Sequence, residues 1–367
     1  MGQAASSNLS PEINVLTSLD DLPGLVDLAS RVYGWHPDVS ELGYHRWLYG
    51  ENPAGPAIQG VAMLHGRMVA HYALIPIRLQ MGPDVILAGL GVNAMTQREM
   101  EGRGLFVKLV AEVNKASAAC GIQVTYVVPG PNSAPWFSSV LRYKGRGGLT
   151  LFLRPERVLP LLSGLAGMGR AARPLSFLVQ PPIRLLGMLC RARRGRGQFV
   201  IRSLVDFGQD FDELWNRVGK EWHHTAVRNR TFLRWRYNSV PTRQYQILAA
   251  YSGDRLVGYI ICRVRSTQDA MGVSLGSIVD IVAEPTSEGD SAAALLVAEA
   301  VHRLNQRGVH AIFAQLSLPS RLASALRRNG FWRVPGRHRA CRPILFQGDG
   351  EASKGTMHFT GGDYDMG

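Results

Sequence analysis

Cysteine is scarce: Cys120, Cys190, Cys262 and Cys341 stand far apart, with no C-x-x-C pair and no nearby histidines. This spacing excludes a disulfide framework and a thiolate metal site, so no metal is expected, and it fits buried thiols in a reducing compartment. A long apolar run is also lacking. The stretch "PLSFLVQPPIRLLGMLC" is broken by Pro181, Pro182 and Arg184, and is too short to span a bilayer. No basic-then-apolar start marks a secretory signal, so a cytoplasmic location is expected. The opening Met1-Gly2-Gln3-Ala4-Ala5-Ser6 fits a myristoylation pattern, which matters only in a cell that has the transferase.

Acids are missing from one region entirely. Between Glu156 and Asp206 there is none, while arginines run from Arg157 to Arg202. That segment reads either as a soluble connector or as a patch lying on an anionic membrane at its inner face. Over its 367 residues the chain carries a net charge of +13, which calls for an anionic partner: a phosphorylated cofactor, nucleic acid or a membrane surface. With 46% hydrophobic residues the chain can bury sizeable cores, and its length suggests two domains.

The two domains look like copies. "RWLYGENP" from Arg46 and "RWRYNSVP" from Arg234 share Arg, Trp, Tyr and Pro at one spacing, and the same offset carries Arg67 onto Arg255 and Val69 onto Val257. Each box precedes two apolar strands joined by a polar turn, a hairpin signature. In the first copy the pattern predicts a strand at "EINVLTS" and helices near 20–33 and 40–49. Strands near 58–64, 68–80 and 85–95 follow, then the helix "LFVKLVAEVNKASAA" and the buried strand "IQVTYVV". Between the third strand and that helix lies "EGRGL". Gly102 and Gly104 allow backbone to approach an anion at a helix N-terminus, and Arg103 adds charge. The second copy has "TSEGDSA" in that place, so its cradle is missing.

This order of strands, glycine turn, helix and strand resembles the GNAT superfamily of acyl-CoA-dependent N-acyltransferases. The resemblance implies an α/β (α+β) fold of two tandem GNAT-like domains, each a mixed, mostly antiparallel sheet flanked by helices. The expected boundaries are 1–155 with the cradle, 156–198 as connector, 199–346 with a degenerate cradle, and 347–367 as tail. It implies acetyl-CoA as co-substrate, held by Met95, Thr96, Gly102, Arg103, Gly104 and Leu105, with Asn132 and Ser133 of "PGPNSAPWF" touching the coenzyme arm. Glu101 and Phe106 depart from the family pattern, the first by putting a carboxylate near the diphosphate. The family's tyrosine acid has Ser138 in its place, which leaves the acid unassigned.

Asp280, in the apolar run "SIVDIVA", is a candidate base for the acceptor amine, or else a structural hydrogen-bonding group. Arg46, Tyr49, Arg234 and Tyr237 of the two boxes are candidates for an acceptor groove, with core packing as the competing role for the aromatics. The expected reaction is acyl transfer from coenzyme A to a primary amine, a small molecule or a glycan precursor. The resemblance is to bacterial proteins tied to envelope or polysaccharide modification. An aminoacyl-tRNA-dependent transferase and a non-catalytic, membrane-associated scaffold or sensor stay open as alternatives.

Overall fold

The computed structural model of the chain describes residues 10–18, 21–34, 36, 38–157, 199–265, 273–336, 341–348 and 355–364. Most of the basic connector, residues 158–198, falls outside them.

The first half opens with β1 (Glu12–Leu16), α1 (Leu22–Tyr33) and α2 (Leu42–Gly50). Asp21 starts α1 by accepting the Gly24 N–H at 2.9 Å, Pro23 supplies a preset φ, and Leu25, Leu28 and Ala29 form its buried face. A meander of β2 (Ile58–Leu64), β3 (Arg67–Met81) and β4 (Asp84–Thr96) follows, then α3 (Leu105–Ala119), β5 (Val124–Val127), a π-turn at Trp136–Val140 and β6 (Lys144–Pro155). Strand bounds lie within a residue or two of those expected from the apolar runs. α3 buries Leu105, Leu109, Val110 and Val113 against β2 and β3. Removing a leucine such as Leu109 from such a face costs about 2–5 kcal/mol.

The second half repeats the plan with β7 (Val200–Leu204), α4 (Gln209–Val218), β8 (His224–Ala226), α5 (Arg230–Leu233), and a π-turn at Arg234–Asn238. Then come β9 (Gln246–Ser252), β10 (Arg255–Arg265), β11 (Leu275–Ala283), α6 (Ser287–Gln306), β12 (Ala311–Ser317), α7 (Ala323–Arg328), β13 (Trp332–Arg333) and β14 (Cys341–Gly348). Small residues on α6, Ala292, Ala293 and Ala300, let it lie close on β10 and β11.

All main strands form one sheet in the order β1-β2-β3-β4-β5-β14-β6-β12-β11-β10-β9-β7. It is mostly antiparallel, with parallel pairs at β4/β5 and β11/β12. The order crosses the expected domain boundaries, because β14 of the second half pairs with β5 and β6 of the first, and β6 pairs with β12. The two halves have exchanged their last strands, so a cut near residue 155 or 199 does not separate two complete sheets.

The boxes meet where the halves join. Trp47 and Trp235 are both buried, and Phe232 and Arg236 pack around them. A second junction is the ion pair between Asp38 and Arg243, at 2.7 Å.

Candidate functional site

β4 and β5 run side by side from Ala88/Val124 to Gly91/Val127 and then part. Where they part lies a cavity of about 160 Å³, lined by Tyr72, Gly91, Asn93, Ala94, Ser133 and Phe137 among others, with Tyr364 from the end of the chain. Just there β4 carries a bulge. His71 pairs with Met95 and Ala73 with Val92, so Asn93 and Ala94 stand opposite the single residue Tyr72.

The bulge is held from both sides. Asn93 adopts φ of 48°, in the left-handed region that asparagine tolerates better than most residues. Its side-chain amide donates to the Tyr49 hydroxyl at 2.6 Å, and its carbonyl lies 3.2 Å from His71 Nδ1. Tyr33 donates to the Ala94 carbonyl at 3.2 Å. Burial pushes the His71 imidazole down to about 4, so at neutral pH the ring is uncharged.

Tyr72 is 1% exposed, and among the described residues its hydroxyl has no well-formed hydrogen bond, with the Tyr143 hydroxyl as its polar neighbour. A Cβ added to Gly91 would meet that hydroxyl at 2.2 Å, so only glycine leaves the room it occupies. The neighbouring Tyr143 hydroxyl is already engaged by Thr125 at 2.9 Å and Asn114 at 3.0 Å. Burial, with Tyr143 adding to it, holds the Tyr72 phenol well above its ordinary pKa, so it remains a proton donor.

At the N-terminus of α3, Gly102 and Gly104 have φ of 73° and 72°, values that favour glycine, and a Cβ at either would find nothing within 4 Å. Gly104 caps the helix without a side-chain hydrogen bond. A cavity of about 310 Å³ lies beside it, lined by Ser10, Ile13, Arg103, Leu105 and Lys108.

The corresponding places in the second half are occupied. Thr286 caps α6 by accepting the Gly289 N–H at 3.0 Å, the first turn carries Glu288 and Asp290, and a Cβ on Gly289 would strike the Glu284 carbonyl at 2.0 Å. Where β11 and β12 part, the segment 357–364 fills the gap. Leu316 bridges to Thr360, Ser317 bonds to Met357 and Phe359, and Gly361 packs on Val279 and Gln315.

The expected site residues therefore separate. Ser133 lines the first cleft, Asn132 is exposed beside it, and Arg103 and Leu105 line the cavity at α3. Met95 is buried in the core cluster that excludes α3, so only its backbone can face a ligand at the turn. Tyr49 is a buried support for the bulge, not a groove residue. Arg46 is exposed, Arg234 pairs with Asp206 at 2.6 Å on the surface, and Tyr237 is buried against Gly362; these do not form one groove, because their boxes face each other through Trp47 and Trp235.

Asp280 takes the second of its two expected roles, the structural one. It is 1% exposed and takes hydrogen bonds from Arg228 at 3.0 Å, Thr360 at 3.0 Å, Tyr259 at 3.2 Å and the Ile281 N–H at 3.0 Å. Burial alone would raise its pKa, but Arg228 outweighs this and holds the carboxyl below its usual range. Arg228 reaches Asp363 as well, at 2.5 Å, and the network anchors the end of the chain. A carboxylate so engaged has no free lone pair to offer an amine.

Sequence reasoning missed Tyr72, the bulge and Tyr364. The signal for the bulge was "GVN", a glycine and an asparagine inside a strand.

Residues 201–331 match the acetyltransferase (GNAT) family. No curated protein sequence matches the chain. Among solved structures it is similar to a GCN5-related N-acetyltransferase from Anabaena variabilis, with 13% identity and a TM-score of 0.62 over 91% of this chain and 72% of that one. It is also similar to Saccharomyces cerevisiae N-myristoyltransferase with bound myristoyl-CoA, with 11% identity and a TM-score of 0.61 over 91% and 82%. A GCN5-related N-acetyltransferase from Kribbella flavida gives 12% and 0.54 over 92% and 71%. At such identities the likeness is one of fold, and it extends over both halves.

Proposed function

We propose that this chain of the GNAT acetyltransferase family moves an acyl group, acetyl in the first instance, from coenzyme A to a primary amine, with the first half holding the donor. The observation that carries the reading is the asymmetry between the two halves. The first has an open cleft at a strand bulge and an uncapped glycine turn, while both places are filled in the second.

Gly102, Arg103, Gly104 and Lys108 would meet the coenzyme diphosphate, since helix N-H groups and cations favour an anion there. The arm would run along Ser133 into the cleft. Main-chain N–H groups at the bulge, those of Asn93 and Ala94, would face the thioester carbonyl, where donors in a dry site stabilise charge on oxygen as the amine attacks. Tyr72 stands opposite the bulge, and its hydroxyl lines the cleft as a proton donor for the departing sulfur. An envelope or polysaccharide precursor as acceptor, and contact with an anionic membrane through residues 157–202, belong to this reading as proposals.

The test is calorimetry with acetyl-CoA, using wild type and a Gly102→Glu/Gly104→Glu variant of checked fold, with myristoyl-CoA as a second ligand. Micromolar binding lost in the variant supports the reading. A folded wild type that binds neither ligand overturns it and favours a tRNA-dependent transferase or a scaffold.

A further inference from the structure

Arg263 and Arg265 lie two residues apart on β10 and so share one face of the sheet. The Arg265 guanidinium lies 5.6 Å from the Phe313 ring of β12, and that of Arg263 lies 5.6 Å from the Tyr245 ring. Two residues along β12 from Phe313, Gln315 accepts a hydrogen bond from Tyr364, the residue that lines the first cleft. Arg342 of β14 lies over Tyr364, 5.6 Å from its ring centre. A continuous face thus runs from β10 to the rim of the cleft, floored by aromatic rings and bearing three cations.

Among the described residues none of the three has an anionic partner. Among the described residues, Arg263, Arg265 and Arg342 form no ion pair and no hydrogen bond, and Arg263 Nε is buried without a partner. The nearby carboxylate, Asp38, is already taken by Arg243 at 2.7 Å and Thr242 at 2.6 Å. Burial first, and then repulsion by Arg243 and Arg265, brings the Arg263 guanidinium down to about 10, and Arg265 is lowered for the same reasons. Gathering half-buried cations without counterions is costly in the free protein, and an oxyanion removes the cost by accepting paired N–H groups from a planar fork.

We propose that Arg263 and Arg265, with Arg342 at the rim, bind an oxyanion, a phosphate or carboxylate carried by the acceptor amine. This rests on the acyltransferase reading for the word acceptor, and names the class: an amine bearing an anionic group, held by the second half while its nitrogen reaches the cleft of the first.

The probes are inorganic phosphate, acetate and phosphoethanolamine, titrated calorimetrically into the full chain as wild type, as Arg263→Gln/Arg265→Gln, and as Gly102→Glu/Gly104→Glu. The expected result is that phosphate or acetate binding weakens tenfold or more in the arginine variant and is unchanged in the glycine variant. The better of the two anions identifies the group, and phosphoethanolamine binds at least as well as phosphate. Because the replaced cations are half-buried with no counterion among the described residues, the arginine variant should melt no lower than wild type; Arg265→Gln alone serves if the double variant fails to fold. Binding that is absent from wild type, that survives the arginine change, or that disappears only with the glycines overturns the proposal. Acetyl-CoA binding is scored separately, so a failure of the donor site leaves this result readable.

Discussion

Trp47 and Trp235, 188 residues apart, stack with ring centres 5.2 Å apart, and each indole N–H donates to the other's backbone carbonyl, at 2.7 and 3.2 Å. The exchange is reciprocal, so the two boxes meet about a local two-fold. Trp47→Phe and Trp235→Phe each forfeit a buried hydrogen bond and some packing, about 2 kcal/mol apiece. The double variant should lose less than the sum, by about 0.5–1.5 kcal/mol, because the pair is one contact. Urea unfolding of the four proteins measures this; strict additivity would show that the rings do not interact.

Glu101 places an exposed carboxylate beside the glycine turn. Glu101→Gln should therefore tighten acetyl-CoA binding, by about two- to fivefold, the size of an exposed charge interaction. The gain should shrink in high salt. A variant that binds more weakly would mean that Glu101 contacts the ligand favourably.

Tyr72→Phe removes a buried hydroxyl that has no well-formed hydrogen bond among the described residues. Stability should stay level or rise slightly, since an unpaired buried hydroxyl is a cost. Turnover of acetyl-CoA should fall at least about tenfold with affinity little changed. Unaltered turnover would remove Tyr72 from the chemistry.

Asp280 tests the opposite case. Asp280→Asn breaks a buried charged network and should cost about 3 kcal/mol. The pH profile of kcat/KM, measured below the variant's melting temperature, should keep its shape. Loss of an ionisation from that profile would restore the base that the geometry rules out.

His71 and His358 are neutral when folded, held down to about 4 and about 3 by burial. In the unfolded chain they charge below about 6.5, so the unfolded state takes up more protons and stability falls as pH drops. By pH 5 each should cost roughly 2 kcal/mol relative to pH 7. Urea midpoints at the two pH values should show a smaller drop for His71→Gln; an equal drop would mean that His71 charges in place.

Periodicity read the elements well because burial on one side is written in side-chain spacing: Leu105, Leu109, Val110 and Val113 mark α3 as plainly in the sequence as in the core. The two boxes were legible as a pair for the same reason, since Trp47 and Trp235 occupy equivalent positions. What could not be read was which half a strand joins. β6 and β14 look alike whether they pair within a half or across it, since local pattern fixes a strand's faces but not its neighbour. Asp280 stayed open between two roles because a carboxylate in an apolar run signals a partner without naming it, and Arg228 lies 52 residues away. Tyr72 was hidden because a tyrosine on a buried strand looks like core until the bulge opposite it is known.

The exchange of β6 and β14 has a consequence for biosynthesis. Residues 12–127 leave the ribosome with the cleft's strands in hand but with β5 presenting a bare edge, and the strand that covers it, Cys341–Gly348, is made far later. The nascent protein must keep that edge from pairing with strangers until β14 arrives. A message cut short before β14, or a protease nick that frees that strand, should yield no half-working fragment, because neither half completes its sheet without it.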